Sequence, residues 1–241
     1  MPKHTPSTLI AQGDWWEIKA SADAAEILIY GDIGASWWGD SVTAKDFVEA
    51  LNEVKDQPLN VRINSYGGSV TDGIAIYNAI KRHPQPTQCL IDGAAYSAAS
   101  LIALAADRTS MAENALYMVH APWGATAGNS QDMRTYADVL DKYAEAMSTA
   151  YASKTGKSKD DMLALLTDGA DHWYTAEEAM AFGYIDEITG ATAIAARFDK
   201  NRVVSARSLR LRSGQAETLN RPSGHLNPQA MENPMPKANH T

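Results

Sequence analysis

The chain of 241 residues contains a single cysteine, Cys89. An internal disulfide is impossible, which excludes a disulfide-built secreted scaffold and fits a reducing compartment. Basic residues are in deficit. There are 21 Lys and Arg against 29 Asp and Glu, a formal charge of -8. A surface that binds phosphates needs a dominant basic patch, so nucleic acid is not an expected partner. No run approaches the roughly 18 apolar residues of a membrane span, and the first fourteen residues hold no apolar core of signal-peptide length. The expected location is the cytoplasm, without a membrane partner. One cysteine and six histidines show no metal-ligand spacing, so no metal is expected, and no cofactor either. Gly156-Lys157-Ser158 resembles the end of a phosphate loop, but Tyr151 stands where that motif requires glycine. A turn between helices is the expectation there.

What is present is an ordinary globular interior, with 45% apolar residues, and length for one domain of about 180–200 residues plus tails. Residues 1–14 read as a flexible arm. From Trp15 strand-like and helix-like segments alternate. Ala24–Ile33, Leu59–Ile63, Gln88–Ile91 and Ala115–Val119 read as strands, as does Tyr184–Ile188. Thr43–Val54, Val70–Ile80, Ser97–Ala106 and Thr175–Phe182 carry helical spacing. The alternation predicts an α/β fold with a mainly parallel sheet. A long helix over about 130–153 has an apolar stripe through Met133, Tyr136, Leu140, Tyr143, Met147 and Tyr151, which must be buried against something. Gly156 ends it, and Ser158 with Asp161 starts another. Cys89 falls in an apolar strand and reads as core. Trp37-Trp38 is either an exposed pair or a lid over a groove. Residues 197–241 begin with six basic residues against one acid over 197–212, then turn to Asn, Pro, Ser and Gly. Such a segment buries too little apolar surface to offset its ordering entropy, so a disordered tail is expected.

Four segments could carry chemistry. Asn64-Ser65-Tyr66-Gly67-Gly68-Ser69 joins a strand to a helix, and its glycines allow a tight turn that exposes amides; it is either an anion-binding loop or a plain turn. Asp92-Gly93-Ala94-Ala95-Tyr96-Ser97 leads into a helix, where Ser97 is either a nucleophile or an N-cap. His120 directly follows an apolar strand, and Asp171 precedes a helix. Each alone has a structural explanation. Together, a hydroxyl, a base and a carboxylate in that order, with glycines upstream, satisfy what acyl transfer requires.

These blocks, with Met118-Val119-His120-Ala121-Pro122 and Asp171-His172-Trp173-Tyr174-Thr175-Ala176-Glu177-Glu178-Ala179, resemble the Clp protease proteolytic subunit over about residues 24–190. The resemblance implies a ClpP/crotonase-type fold and a serine endopeptidase domain over 15–196. It implies a triad of Ser97, His120 and Asp171, and oxyanion donors at the backbone N–H groups of Gly68 and Ala98. It makes the long helix a handle whose stripe of Tyr136, Leu140, Tyr143 and Met147 packs between subunits of a homo-oligomeric ring acting on protein or peptide substrates. Two features depart from the family pattern: Tyr66 stands in place of the usual proline, and Ala98-Ala99 in place of the usual Met-Gly. Ser100, Asp168 and Asp186 are the rivals for nucleophile and acid. The Ser97-Ala98-Ala99-Ser100 turn and the polar tail look more like the Clp-like head-maturation proteases of tailed phages. That implies an ATP-independent prohead protease acting on capsid or scaffold protein in the host cytoplasm and prohead. The alternatives are a housekeeping chambered peptidase fed by an unfoldase, a crotonase-like acyl-CoA enzyme, and a non-catalytic assembly protein.

Overall fold

The structure, a computed structural model, describes residues 7–34 and 44–190. The Trp37-Trp38 pair and the tail lie outside the described residues.

The sheet grows from alternating apolar strands. β1 (Thr8–Gln12), β2 (Trp16–Ala20) and β3 (Ala25–Tyr30) form an antiparallel ribbon. Parallel pairing then runs from β3 through β4 (Leu59–Ser65) and β5 (Thr87–Tyr96) to β6 (Arg108–Ala112). Ile27 and Ile29 of β3, Val61 and Ile63 of β4, and Cys89 and Ile91 of β5 are all buried. Leu28, Arg62 and Leu90, which point to the opposite face, are buried as well, and burial on both faces is what a parallel sheet demands. α1 (Ala44–Glu53) is pinned by Phe47, which stacks on Trp15 at 5.9 Å and meets Trp16 edge-on at 5.6 Å. α2 (Val70–Lys81) starts at Ser69, whose hydroxyl accepts from the Asp72 amide.

Two differences from the sequence-based expectation concern the ends of the sheet. The expected arm over 1–14 contains β1, so the ordered domain begins before Trp15. This strand sits at the sheet edge with Leu9 exposed and a bulge between Leu9 and Ala11. An edge strand that buries so little carries almost no apolar periodicity. β6 is not among the expected strands, and its sequence, Arg-Thr-Ser-Met-Ala, is too polar to announce one. Its buried Thr109 is satisfied by hydrogen bonds, with its amide donating to Asp186 Oδ2 and its hydroxyl to the Ala103 carbonyl.

The feature that positions the site is a fork in β5. Its first half, Gln88–Ile91, pairs with β6, whereas Ala94–Tyr96 pairs with β7 (Leu116–Val119). Between the halves its register against β4 slips, from Ile63 opposite Ile91 to Ser65 opposite Ala95. Asp92 lies in this slip. Its carboxylate accepts from Arg62 Nε at 2.9 Å and Nη2 at 2.6 Å, and from the Tyr30 hydroxyl at 2.5 Å. Burial alone would depress the Arg62 pKa, but hydrogen bonding and charge pairing with Asp92 outweigh it, so the net shift is upward and the guanidinium stays charged.

β7 pairs antiparallel with β8 (His172–Tyr174), and β9 (Glu187–Thr189) pairs with β6. α3 (Ala98–Ala103) is buried throughout. α4 (Ser130–Thr155) opens with a capping box at Asn129 and Asp132 and ends at Gly156. Ser158 then caps α5 (Lys159–Thr167), so Gly156-Lys157-Ser158 is a turn between helices. Thr175 caps α6 (Ala176–Phe182). Among the described residues, no helix is long and apolar enough to cross a membrane.

Met147 departs from the expected intersubunit stripe. It is buried in the chain's own core with Ala144 and Tyr151. A helix that leaves the body gradually uses its last turns to dock on its own domain. Only the earlier part, with Tyr136, Leu140 and Tyr143 half-buried and Met133 and Val139 exposed, has a stripe left for other contacts.

Candidate active site

β5 ends at Tyr96, and the chain turns directly into α3 through Ser97. The turn forces Ser97 to φ 53°, the only positive φ on a non-glycine among the described residues. Such a backbone costs on the order of 1–3 kcal/mol and persists only where its surroundings enforce it. Here the Ser97 amide donates to the Met118 carbonyl at 3.0 Å, while its own carbonyl accepts from the Ser100 hydroxyl at 2.6 Å. Ser97 occupies the N-cap position of α3, yet its hydroxyl makes no capping hydrogen bond. It is 2.7 Å from His120 Nε2 instead.

His120 follows β7, and its Nδ1 lies 3.2 Å from Asp171 Oδ1. The carboxylate can only accept, so Nδ1 carries the proton. Nε2 is then the acceptor and the Ser97 O–H donates to it. The His120 side chain is mostly buried, whereas that of Asp171 is 57% exposed. The line Ser97–His120–Asp171 thus has the polarity needed to draw a proton from the serine and hold the resulting imidazolium beside a carboxylate.

The glycine loop packs against this turn. Gly67 has φ 97°, and a Cβ there would sit 2.7 Å from Ser97 Cβ and 2.7 Å from the Tyr96 carbonyl. At Gly68 a Cβ would collide with the backbone of Ile33. The bridge between Ile33 and Gly68 is built by the Ile33 amide donating to the Gly67 carbonyl and the Ser69 amide donating to the Ile33 carbonyl. It therefore does not use the N–H of Gly68 itself. Among the described residues neither that amide nor the Ala98 amide has an acceptor. Stabilising an oxyanion takes free backbone N–H donors of this kind.

The rivals are occupied elsewhere. Ser100 is fully buried, and its hydroxyl lies 2.6 Å from the Tyr151 hydroxyl while donating to the Ser97 carbonyl. Asp168 accepts from the Ala170 amide and pairs with His172, which together hold its carboxyl below the usual range. Asp186 accepts from Lys154 at 2.5 Å and from the Thr109 amide at 2.7 Å. Cys89 is buried and its thiol pushed far up by desolvation, so it is inert. Among the described residues no group of three or more His, Cys, Asp or Glu is placed to hold a metal ion.

The chain matches the Clp protease family across residues 18–192. It belongs to that family. An ATP-dependent Clp protease proteolytic subunit of Streptococcus gordonii is 31% identical over 166 residues, 67% of this chain and 83% of the relative. The subunit of the same name from Leuconostoc citreum is 31% identical over 167 residues, 67% and 81% of the two chains. Among solved structures, a mutant of ClpP1 from Listeria monocytogenes superposes with a TM-score of 0.57 at 27% identity, covering 68% of this chain and 90% of that one. The forked sheet with flanking helices is thus the ClpP-like fold, and Clp family membership implies a serine peptidase.

What the sequence reading missed lies behind the site. Ser100, Tyr151 and Tyr117 form a buried polar cluster under Ser97, in which the Tyr117 hydroxyl donates to the Ser100 carbonyl at 2.6 Å. Tyr151 was visible only as a member of an apolar stripe. The available signal was two tyrosines and a serine at core positions, which obliges polar partners inside the core.

Proposed function

We propose that the protein is a serine endopeptidase in which Ser97 is the nucleophile, His120 the general base and Asp171 the group that orients the histidine. The observation that carries this reading is the 2.7 Å contact of Ser97 Oγ with His120 Nε2, on a hydroxyl that does no capping work. His120 takes the serine proton as Oγ attacks a peptide carbonyl. The Gly68 and Ala98 amides receive the oxyanion, and the imidazolium returns the proton to the leaving amine. Water, deprotonated by His120, then hydrolyses the acyl-enzyme. A crotonase-like acyl-CoA enzyme would use the amide pair but needs no serine–histidine pair.

The substrate is protein, and the working form a homo-oligomeric ring in which Tyr136, Leu140 and Tyr143 of α4 meet a second subunit. The biological setting we favour is maturation of a phage head, with capsid or scaffold protein cleaved without an ATPase. Support comes from Tyr66, Ala98 and Ala99, which depart from the usual family residues, and from the long polar segment after residue 196. The second reading is a housekeeping peptidase fed by an unfoldase, favoured by the relatives named as ATP-dependent proteolytic subunits.

Co-expression with the neighbouring capsid protein, comparing wild type with Ser97→Ala by mass spectrometry, separates them. Cleavage fragments in wild type alone support head maturation. Intact capsid protein, with degradation only when an unfoldase and ATP are added, supports the housekeeping reading.

A further inference from the structure

Three aromatic side chains beside the site form a continuous surface. The Tyr66 ring lies 5.4 Å from that of Tyr96, and Tyr96 meets Trp173 edge-on at 5.0 Å with 74° between planes. Each is tied to a site element: Tyr66 precedes Gly67, Tyr96 precedes Ser97, and Trp173 lies two residues beyond Asp171. Tyr66 is 72% and Trp173 51% exposed, so among the described residues these two rings are left open.

The register shows which way this surface faces. Tyr96 pairs with Met118, and Met118 with Trp173, so the three share one row and one face of the sheet. Met118, which is buried, stands between the other two in that row. Along β7, Tyr117 and Val119 point into the core. Met118 and, two residues on, His120 therefore point the other way. Trp173 and Asp171 are related in the same manner along β8. The aromatic surface thus occupies the face of the sheet that carries His120 and Asp171, one step from them. Tyr66 closes the end next to Ser97.

We propose that Tyr66, Tyr96 and Trp173 are specificity-determining residues of the peptidase site. They receive an aromatic or large aliphatic side chain of the peptide within two residues of the scissile bond. This rests on the serine-peptidase reading above. The platform has open ring faces and edges and carries no charge, so it suits another ring packed edge-on or offset. A contact of that kind corresponds to roughly two- to tenfold in kcat/KM per ring.

The test uses the full chain and a fluorogenic peptide series with Phe replacing Ala at each of the two positions on either side of the scissile bond. The quantity read is the ratio of kcat/KM for the Phe and Ala peptides at the best position. Wild type is expected to favour Phe by about tenfold or more. Trp173→Ala and Tyr66→Ala should each cut that ratio several-fold, mainly through KM, and Trp173→Phe should restore it. Tyr66 is so exposed that its truncation leaves folding intact. An unchanged ratio in both alanine variants overturns the proposal. So does an unchanged ratio accompanied by altered sedimentation, which would make the platform a contact between copies of the chain. If wild type neither hydrolyses peptides nor is labelled at Ser97 by a fluorophosphonate, the peptidase reading falls and this inference with it. Labelled Ser97 with an unchanged ratio sinks the inference alone.

Discussion

His120 and Asp171 face one another because the antiparallel register of β7 and β8, in which Val119 pairs with His172, continues by one residue. The carboxylate is delivered by a three-residue strand rather than by a flexible loop. Asp171→Asn should therefore keep the fold and the strand pairing while removing the acceptor that sets the histidine tautomer. We expect peptide hydrolysis to fall by roughly three to four orders of magnitude, with an unchanged melting temperature. Asp168→Asn, which removes the partner of His172 instead, should leave the rate within a few-fold of wild type. The reverse ranking in steady-state assays would transfer the role to Asp168.

Labelling tests the nucleophile directly. A fluorophosphonate should modify Ser97, and Ser97→Ala should abolish both labelling and peptide cleavage. Labelling at Ser100 would contradict the structure, in which that hydroxyl is enclosed between the Ser97 carbonyl and Tyr151.

Much of this was legible in the sequence because it is local. The segments around Ser97, His120 and the glycine pair each sit where a strand ends. Apolar periodicity locates strand ends well when the strand is buried on both faces, as β4 and β7 are. β8 was not legible: three residues cannot display a period, and its existence depends on pairing with β7. The fork in β5 was hidden for a related reason. Asp92-Gly93-Ala94-Ala95-Tyr96 has the small and polar composition of a loop, yet its backbone groups are taken up by β4 and β7. Tertiary pairing overrode a weak local preference. Met147 was misassigned because an apolar stripe on a helix states that burial occurs but not against which partner.

Gly67 is expected to be intolerant of any side chain. Its φ of 97° is strained for an L-residue, and a Cβ would press on Ser97 Cβ and the Tyr96 carbonyl. Gly67→Ala should lower stability by about 1–3 kcal/mol and displace the nucleophile. A shift of even 1 Å costs about a hundredfold in rate. Thermal melting and kcat measured together check this; a variant with wild-type kcat would show that the loop is not in contact with the reacting serine.

The exposed part of the α4 stripe should govern assembly. Leu140→Glu puts a charge into the half-buried stripe, about two helical turns before the buried Met147. If the stripe joins subunits, analytical ultracentrifugation should show smaller species and activity should fall with assembly. Met147→Glu should instead unfold the chain, because it places a charge in the domain's own core. A Leu140→Glu variant with unchanged sedimentation would remove α4 from the subunit contact.

The last prediction concerns the hydroxyls behind Ser97. The Ser100 hydroxyl donates its one proton to the Ser97 carbonyl at 2.6 Å, so the Tyr151 hydroxyl, also 2.6 Å away, must donate to Ser100. The two deletions are then unequal. Tyr151→Phe removes a donor and leaves Ser100 still bonded to Ser97. Ser100→Ala removes the side-chain brace on the strained nucleophile turn, leaving the Ser97 carbonyl the Ser100 amide at 2.9 Å, and strands a fully buried tyrosine hydroxyl. An unsatisfied buried hydroxyl costs about 1–3 kcal/mol, against roughly 0.5–1.5 kcal/mol for a lost hydrogen bond with no stranded partner. Ser100→Ala should therefore be the more destabilising single change, and adding Tyr151→Phe to it should recover part of the loss. Denaturant unfolding of the two single variants and the double variant gives the coupling. Activity supplies a second readout: the double variant should regain stability without regaining rate, because the Ser97 carbonyl keeps the Ser100 amide but still lacks its side-chain donor. Strict additivity of the two changes in stability would show that the hydroxyls do not act as a pair.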